Sequence, residues 1–376
     1  MKSKNIFVTG GGTGGHLYPA MVVGKALKAQ GYNVIYIGSG WGVESKIIPE
    51  QTDFKFFKIR VQGLRGSIID KFFAFVYLFI SIIKMFFLTL IYNPVFVVGT
   101  GGYVSAPVVI AGFLCGRNVF LLEQNYLPGK TTKFLAHFSK KIFVSFPETL
   151  KKLDPSKGVF TGNPVREDIL KYSKDEAREK LNLDKDKTTI LITGASQGAR
   201  SINKAVVNAL EGWKNNNWQI IHLTGDKNYD YVVSKTKDAL ESSVLKYIPL
   251  AYMEDICLAY AAADIAICRT GATTIAELTL KGLPSVLIPY PYAAENHQYY
   301  NALFLEKNGA GVIIEDKNLD KEFIKKVENI ILNKDKLEQM SKNALRLGNP
   351  HALDNIVSEI KKLREDGDKN VKSCGS

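Results

Sequence analysis

The residues best suited by type and spacing to do chemistry stand at the start of the chain. The apolar run Ile6-Phe7-Val8 leads into Thr9-Gly10-Gly11-Gly12-Thr13-Gly14-Gly15-His16, and Leu17-Tyr18-Pro19 opens a helical pattern. Glycines let backbone N–H groups approach a ligand closely, and the unpaired N–H groups of a helix start favour negative charge. The stretch is therefore expected to cradle an anion or a diphosphate, with an imidazole beside it. Gly10-x-Gly12-x-x-Gly15 fits the dinucleotide pattern by letter. The second strand, Asn33 to Ile37, however runs into Gly38-Ser39-Gly40, where a ribose-binding acid belongs. A triphosphate loop needs Lys and then Ser or Thr after its last glycine, whereas His16-Leu17 follows here. Neither reading survives, and a glycine loop carrying a histidine at a helix entry remains.

Further groups of this kind follow. Gly99-Thr100-Gly101-Gly102-Tyr103 is a second glycine loop, and Glu123-Gln124-Asn125 closes an apolar strand, a position where open α/β sheets form sites. Arg269-Thr270-Gly271-Ala272-Thr273-Thr274 places small and hydroxyl residues at a helix entry, with Glu277 about one turn in. Two carboxylate oxygens suit the paired hydroxyls of a ribose, although an acid near a helix start is also favoured by the dipole alone. Pro289 to Asn301 is a loop dense in hydrogen-bonding side chains, suited to sugar hydroxyls. Ser196 with Gln197 and Gly198, and Arg166, can hold a diphosphate between them, and neither this group nor the sugar loop needs a metal.

Positioning these groups takes a repeated unit of strand, glycine loop and helix. Ala20 to Gln30 reads as a helix, Glu44 to Glu50 as a weaker one, and Phe54 to Arg60, Val95 to Val98, Val119 to Leu122 and Lys141 to Phe146 as strands. The pattern then restarts: Thr193-Gly194 lies 184 residues after Thr9-Gly10 in a chain of 376. Strands follow at Trp218 to Thr224, Ser243 to Ile248, Ile265 to Cys268 and Ser285 to Ile288. The expected fold is α/β, two tandem Rossmann-like doubly wound domains with an interdomain cleft for the ligand. The boundaries are set at 1–163 and 164–366, with a last helix able to pack back on the N-terminal domain. The Lys-, Gly- and Ser-rich tail, 367–376, is expected to be disordered.

An apolar fraction of 46% fits two globular cores, and 49 basic against 37 acidic residues call for an anionic partner. Nucleic acid is set aside because no RNA- or DNA-binding motif accompanies the charge. The run Lys71 to Tyr92 is about as long as a bilayer is thick. Parallel strands on either side require a crossover on one side of any membrane, so a spanning helix is excluded. Tyr77, Ser81, Lys84 and Tyr92 form one narrow polar stripe, which leaves more apolar surface than one sheet face covers. The helix is expected to bury one side and dip the other into lipid, with a greasy core helix as the alternative. Lys130, Lys133, Lys140 and Lys141, near Phe134 and Phe138, read either as a solvated face or as contacts to anionic headgroups. Cys115, Cys257, Cys268 and Cys374 have no metal-like spacing, which fits a reduced cytosolic compartment, and no signal peptide is expected.

Taken in order, Thr9 to His16, Gly101 to Ser105, Glu123 to Asn125, Gly162-Asn163-Pro164-Val165-Arg166, Gly194 to Ala199, Arg269 to Glu277 and Asn296-His297-Gln298 resemble the MurG-type N-acetylglucosaminyltransferases of peptidoglycan synthesis. The resemblance runs from the first strand to about residue 350. It implies the GT-B fold and inverting transfer from UDP-N-acetylglucosamine to the C4 hydroxyl of an undecaprenyl-diphosphate-linked muramoyl-pentapeptide, without a cofactor. The partners implied are this donor, this acceptor and an anionic membrane surface, with the enzyme peripheral at the cytoplasmic face of the inner membrane. By position, Glu277 holds the ribose, backbone near Met253 and Ala272 reads the uracil, and Thr273, Thr274, Ser196 and Arg166 lie by the phosphates. Gln298 and Asn125 hold the sugar. Thr13, Gly14 and Gly15 adjoin the donor and, with Gly12, His16, Gly101, Gly102 and Tyr103, face the acceptor diphosphate. Many relatives carry His immediately before Glu-Gln-Asn; this chain has Leu122, so no catalytic histidine stands there.

His16 is the candidate general base, since imidazole titrates near neutrality; the alternative is that it organises the loop by hydrogen bonding. His137, His222 and His351 read as structural. Two rival functions share the architecture: a UDP-sugar 2-epimerase, which needs no lipid-facing helix, and a non-catalytic membrane-docked sugar-nucleotide binding subunit.

Overall fold

Short β-branched and aromatic runs form the strands, each feeding a helix, so that every strand pairing in both sheets is parallel. A computed structural model describes residues 3–63, 66–195, 197–237 and 243–373. The chain divides into two units, Met1–Arg166 with Pro350–Ser376, and Glu167–Asn349.

In the first unit β1 (Asn5–Thr9), α1 (Gly14–Ala29), β2 (Asn33–Ser39), α2 (Glu44–Gln51) and β3 (Lys55–Ile59) are followed by the long α3 (Ile68–Tyr92). Then come β4 (Phe96–Gly99), α4 (Ser105–Leu114), β5 (Asn118–Glu123), α5 (Lys130–Leu135), β6 (Lys141–Val144) and β7 (Gly158–Phe160). The sheet order is β3-β2-β1-β4-β5-β6-β7. Alternate residues serve alternate faces. Ile6, Val8, Phe96, Val98, Phe120 and Leu122 pack with α1, while Phe7, Val97, Val119 and Leu121 pack with α3 and α4 through Met85, Val108 and Val109.

The second unit runs α6 (Lys174–Lys180), β8 (Thr188–Thr193), α7 (Arg200–Trp213), β9 (Trp218–Leu223), α8 (Tyr229–Thr236), β10 (Lys246–Leu250) and α9 (Ile256–Ala262). It continues with β11 (Ile265–Cys268), α10 (Ala272–Lys281), β12 (Ser285–Leu287), α11 (His297–Lys307), β13 (Gly311–Ile313), α12 (Leu319–Ile331) and α13 (Lys334–Leu347). Its sheet order, β10-β9-β8-β11-β12-β13, repeats that of the first unit strand for strand as far as the sixth strand.

The last helix, α14 (Ala352–Ser373), belongs to the first unit, where Ile356, Val357 and Ile360 join the core cluster of α1. Two features bear on the expected boundaries. The Thr161–Arg166 stretch, Arg166 included, lies with the first unit rather than opening the second. Helix α14 extends through Ser373, into the stretch where composition suggested disorder. Residues 374–376 lie outside the described residues.

Helix α3 opens on a capping box, Ser67 with Asp70, and closes at Asn93 in the left-handed region, φ 45°. Its length suits a bilayer, yet it connects β3 to β4 of one sheet. The side turned inward carries Ala74, Ser81, Met85 and Thr89, and the polar stripe runs along it, with Lys84 exposed at its margin. Ser81 Oγ donates to the Arg60 carbonyl at 2.7 Å, and Lys84 Nζ to the Lys58 carbonyl at 2.8 Å. The Arg60 guanidinium stands 4.1 Å from the centre of the Tyr77 ring, and Lys55 Nζ donates to the Tyr92 hydroxyl. The opposite side is bare: Phe72, Phe75, Phe79, Ile80, Phe87 and Ile91 are 54–72% exposed. This reverses the usual amphipathic arrangement of a helix on a soluble domain.

Candidate active site

In both units the strand order reverses beside the first strand, between β1 and β4 and between β8 and β11. Loops leaving the carboxyl ends of such strands diverge and form a crevice. The glycine loops lie there: the register pairs Thr9 with Gly99 and Thr193 with Cys268, so each loop after β1 or β8 faces the one after β4 or β11.

In the first unit the loop after β1 rests on a buried acid. Glu44, fully buried at the start of α2, accepts from Ser39 N at 3.0 Å through Oε1 and from Gly12 N at 3.1 Å through Oε2, and the Ser39 hydroxyl also donates to Oε1. A Cβ at Gly11 would fall 2.4 Å from the Glu44 carboxyl carbon, so the loop packs on the acid only as glycine. Tyr36 donates its hydroxyl to the Gly10 carbonyl, and burial, with Glu44 adding to it, holds that hydroxyl well above its ordinary pKa. The Gly12 N–H is thus already spent on a protein carboxylate. At the start of α1 the Gly14 and Gly15 N–H groups precede the first intrahelical donor, His16 N. Replacing Glu44 by Gln turns an acceptor-only group into one that places an N–H₂ against donors. The variant is expected to lose about 1–3 kcal/mol for each donor left unpaired, read by urea unfolding; an unchanged midpoint contradicts the assignment.

His16, on the first turn of α1, is half-buried between the two loops. Its Nδ1 lies 2.9 Å from the Thr100 carbonyl and 3.1 Å from Gln124 Oε1, while Thr100 Oγ1 donates to the His16 carbonyl at 2.7 Å. Gly101 and Gly102 have φ of +100° and +75°, and a Cβ on either would come to 3.0 or 3.4 Å from the imidazole. Tyr103 packs over Gly12 from the same loop. Glu123 ties down the next turn, Oε1 accepting from Asn125 N at 2.9 Å and Oε2 from Gly129 N at 3.0 Å. Thr13, at the cap of α1, and Gly15 are exposed. The Arg166 guanidinium lies 5.6 Å from the centre of the Tyr18 ring. Leu122 points into the buried cluster with Phe120 and Phe143, the opposite of a site position.

In the second unit Gly198, φ +68°, turns the chain from β8 towards α7; Ser196 lies outside the described residues. Facing it, Gly271 is the extended cap of α10 and Ala272 its buried first residue. Thr274 is half-buried and Glu277 is 5% exposed. Thr273, one turn before Glu277 on the same helix face, keeps Oγ1 buried with no hydrogen-bond partner among the described residues. Gln298 is oriented by its oxygen: Oε1 accepts from Thr270 N at 3.2 Å and Tyr290 N at 3.0 Å, which directs its N–H₂ away as a donor. Arg269 braces the rim, donating to the Ile288 and Pro289 carbonyls and pairing with Asp316 at 2.6 Å. Met253 is half-buried in the loop between β10 and α9. Burial first, and Glu277 second, push the Cys268 thiol up to about 12, so it stays protonated.

The structure gathers Gly12, Thr13, Gly14, Gly15, His16, Gly101, Gly102, Tyr103 and Asn125 at one crevice and Ala272, Thr273, Thr274, Glu277 and Gln298 at the loops of the other. Sequence reasoning missed Glu44, Thr100, Gln124 and Arg269 as parts of the machinery. An acid at a helix start just after Gly38, Gly40 and Gly42 was the available signal for Glu44; Thr100, Gln124 and Arg269 lay inside the motifs read from the sequence, but without a role of their own. An Asp-x-Asp spacing, Asp184-Lys185-Asp186, is exposed and precedes β8, at the sheet edge opposite the loops. Of the histidines, His222 is fully buried between Tyr247 OH at 2.6 Å and Asn203 Oδ1 at 3.0 Å. Burial pushes its pKa down to about 3, from 6.5 when unfolded. Between those values the unfolded chain binds a proton that the folded one refuses, so stability is complete above about pH 6.5 and falls as pH drops towards 3. The loss is on the order of 4–5 kcal/mol at the bottom of that window. Acid unfolding of a His222→Gln variant is expected to show a shallower pH dependence; an identical profile contradicts this.

Family models place the chain. Residues 6–144 match the glycosyltransferase family 28 N-terminal domain, and residues 189–360 match its C-terminal domain. The UDP-N-acetylglucosamine--N-acetylmuramyl-(pentapeptide) pyrophosphoryl-undecaprenol N-acetylglucosamine transferase of Halothermothrix orenii is 40% identical over 366 residues, which span 94% of this chain and 97% of the relative. The chain belongs to the MurG-type glycosyltransferases. Among solved structures, Acinetobacter baumannii MurG is similar at a TM-score of 0.78 and 28% identity, covering 95% of this chain and 99% of that one. The UDP co-structure of Staphylococcus aureus MnaA, at a TM-score of 0.66 and 15% identity over 95% of this chain and 96% of that one, shares the fold alone. The two parallel sheets of this MurG-type chain are those of the GT-B fold.

Proposed function

We propose that the protein transfers N-acetylglucosamine from UDP-N-acetylglucosamine to the C4 hydroxyl of undecaprenyl-diphospho-N-acetylmuramoyl-pentapeptide, the step from lipid I to lipid II in peptidoglycan synthesis. The observation that carries this reading is the near-full-length identity of 40% to a transferase of that name. In this reading the second unit takes the donor. The buried Thr273 hydroxyl and Glu277 on one face of α10 suit ribose hydroxyls, and the start of α10 and Thr274 suit the phosphates. Backbone near Met253 and Ala272 meets the uracil, and the Gln298 N–H₂ donates to the sugar. We further propose Asn125, Arg166, Thr13, Gly14 and Gly15 as donor contacts, with Ser196 at the phosphates.

The first unit takes the acceptor. The N–H groups of Gly14 and Gly15 and the loop of Gly101, Gly102 and Tyr103 receive its diphosphate. His16 Nε2 removes the proton of the C4 hydroxyl as that oxygen bonds to the anomeric carbon. The bond from the anomeric carbon to the β-phosphate oxygen breaks on the opposite side, which inverts the centre and releases UDP. Helix dipoles stabilise the charge growing on the leaving diphosphate.

We also propose that the bare side of α3 docks on the cytoplasmic face of the inner membrane, dipping in without crossing. Exposed Lys130, Lys133 and Lys140 near Phe134 supply the charge that anionic lipids attract. The function is tested by following UDP release. With UDP-N-acetylglucosamine alone, the donor is expected to persist; adding a lipid I analogue releases UDP as acceptor is consumed. Conversion of the donor to its 2-epimer without acceptor overturns the proposal.

A further inference from the structure

The geometry points to Gln124 as a positioning residue that, with the Thr100 carbonyl, selects the Nδ1–H tautomer of His16 and leaves Nε2 bare for the acceptor hydroxyl. The inference deepens the proposed function and rests on its reading of His16 as the base. Both groups beside Nδ1, the Thr100 carbonyl at 2.9 Å and Gln124 Oε1 at 3.1 Å, are acceptors. A bare Nδ1 there would face two oxygens, so the proton resides on Nδ1 and the neutral ring presents its lone pair at Nε2.

The orientation of Gln124 is itself determined. Its Nε2 donates to the Leu122 carbonyl at 3.4 Å, a contact that turning the amide over would replace by two opposed oxygens. At 2% exposure the side chain is enclosed. The backbone on either side is held as well, since Ser145 N donates to the Glu123 carbonyl at 3.1 Å and the Glu123 carboxylate fixes Asn125. Gly101 and Gly102 confine the ring from the other side. Gln124 does not touch the reacting atoms in this arrangement; it acts through the imidazole, as partners of metal-bound histidines do.

Nitrogen-15 NMR of histidine-labelled wild-type protein, which needs no variant to fold, is expected to show neutral His16 protonated at Nδ1 and bare at Nε2. In Gln124→Met, a near-isostere without an acceptor, the Nε2–H form should appear and kcat fall about threefold to tenfold, with the KM for UDP-N-acetylglucosamine within about twofold. Gln124→Glu keeps an acceptor oxygen and is expected to retain the Nδ1–H tautomer and a higher kcat than Gln124→Met. Wild-type His16 protonated at Nε2, or a Gln124→Met variant with unchanged tautomer and kcat, overturns the inference. A tautomer that redistributes while kcat holds overturns instead the base role of His16.

Discussion

Replacing His16 by alanine is expected to lower kcat about 100- to 10,000-fold, the range for loss of a positioned general base, while the KM for UDP-N-acetylglucosamine stays within about threefold. The imidazole sits in the first unit at the switch point, held at Nδ1 and by two glycines, and none of these contacts involves the loops of β11, α10 or α11 assigned to the donor. Its removal therefore strikes the chemical step and leaves the second unit's donor contacts in place. The competing role, organising the loop through the Thr100 carbonyl, is separated by His16→Asn. An asparagine offers a side-chain N–H near the same place but no base, so it recovers activity only if the organising role is the one that matters. Steady-state kinetics with a lipid I analogue decide between them, and a loss confined to donor affinity contradicts the base assignment.

Substituting Phe72, Phe79 and Ile83 together by serine is expected to cut binding to anionic vesicles roughly 30-fold or more. These residues recur at helical spacing on the side of α3 opposite Ala74, Ser81, Met85 and Thr89, and are exposed while those four are buried. Complete burial of such a side chain is worth about 1.5–3 kcal/mol. Counting half of the lower figure for each gives about 2 kcal/mol, which converts to that factor. Because the three make no contribution to the buried clusters, thermal stability should be unchanged. Transfer to a short-chain, water-soluble acceptor should also persist, while transfer to acceptor embedded in vesicles falls. Vesicle binding equal to wild type refutes the docking surface.

Much of this architecture was legible because its signals are local. Ile6 to His16 and Ile190 to Ala199 each carry strand, glycine loop and helix entry in consecutive residues, and their spacing announced the repeat that the two sheets display. Strands β7 and β13, three residues each and opened by a glycine, went unread, whereas the equally short β12 was read from the apolar run Val286-Leu287-Ile288. The second-half strand expected from Ser243 runs from Lys246 to Leu250. The stripe of Tyr77, Ser81, Lys84 and Tyr92 was visible, but which side of the helix faced the domain depended on Arg60, Lys58 and Lys55, tertiary partners that helical spacing does not register.

At the site, glycines and His16 could be read from type and order. Their supports could not: Glu44 reaches Gly12 across 32 positions, Thr100 reaches His16 across 84 and Gln124 across 108. The first loop consequently changes meaning. Its Gly12 N–H serves a buried carboxylate, and the residues proposed to meet a diphosphate are Gly14 and Gly15 at the helix start.

The most direct test is to incubate the full chain with UDP-N-acetylglucosamine and a lipid I analogue and to analyse the lipid by mass spectrometry and glycosidase digestion. The lipid is expected to gain one N-acetylhexosamine in β linkage at the muramoyl C4 oxygen, in step with UDP release. An acceptor recovered unmodified, beside a donor hydrolysed or epimerised at C2, would contradict it.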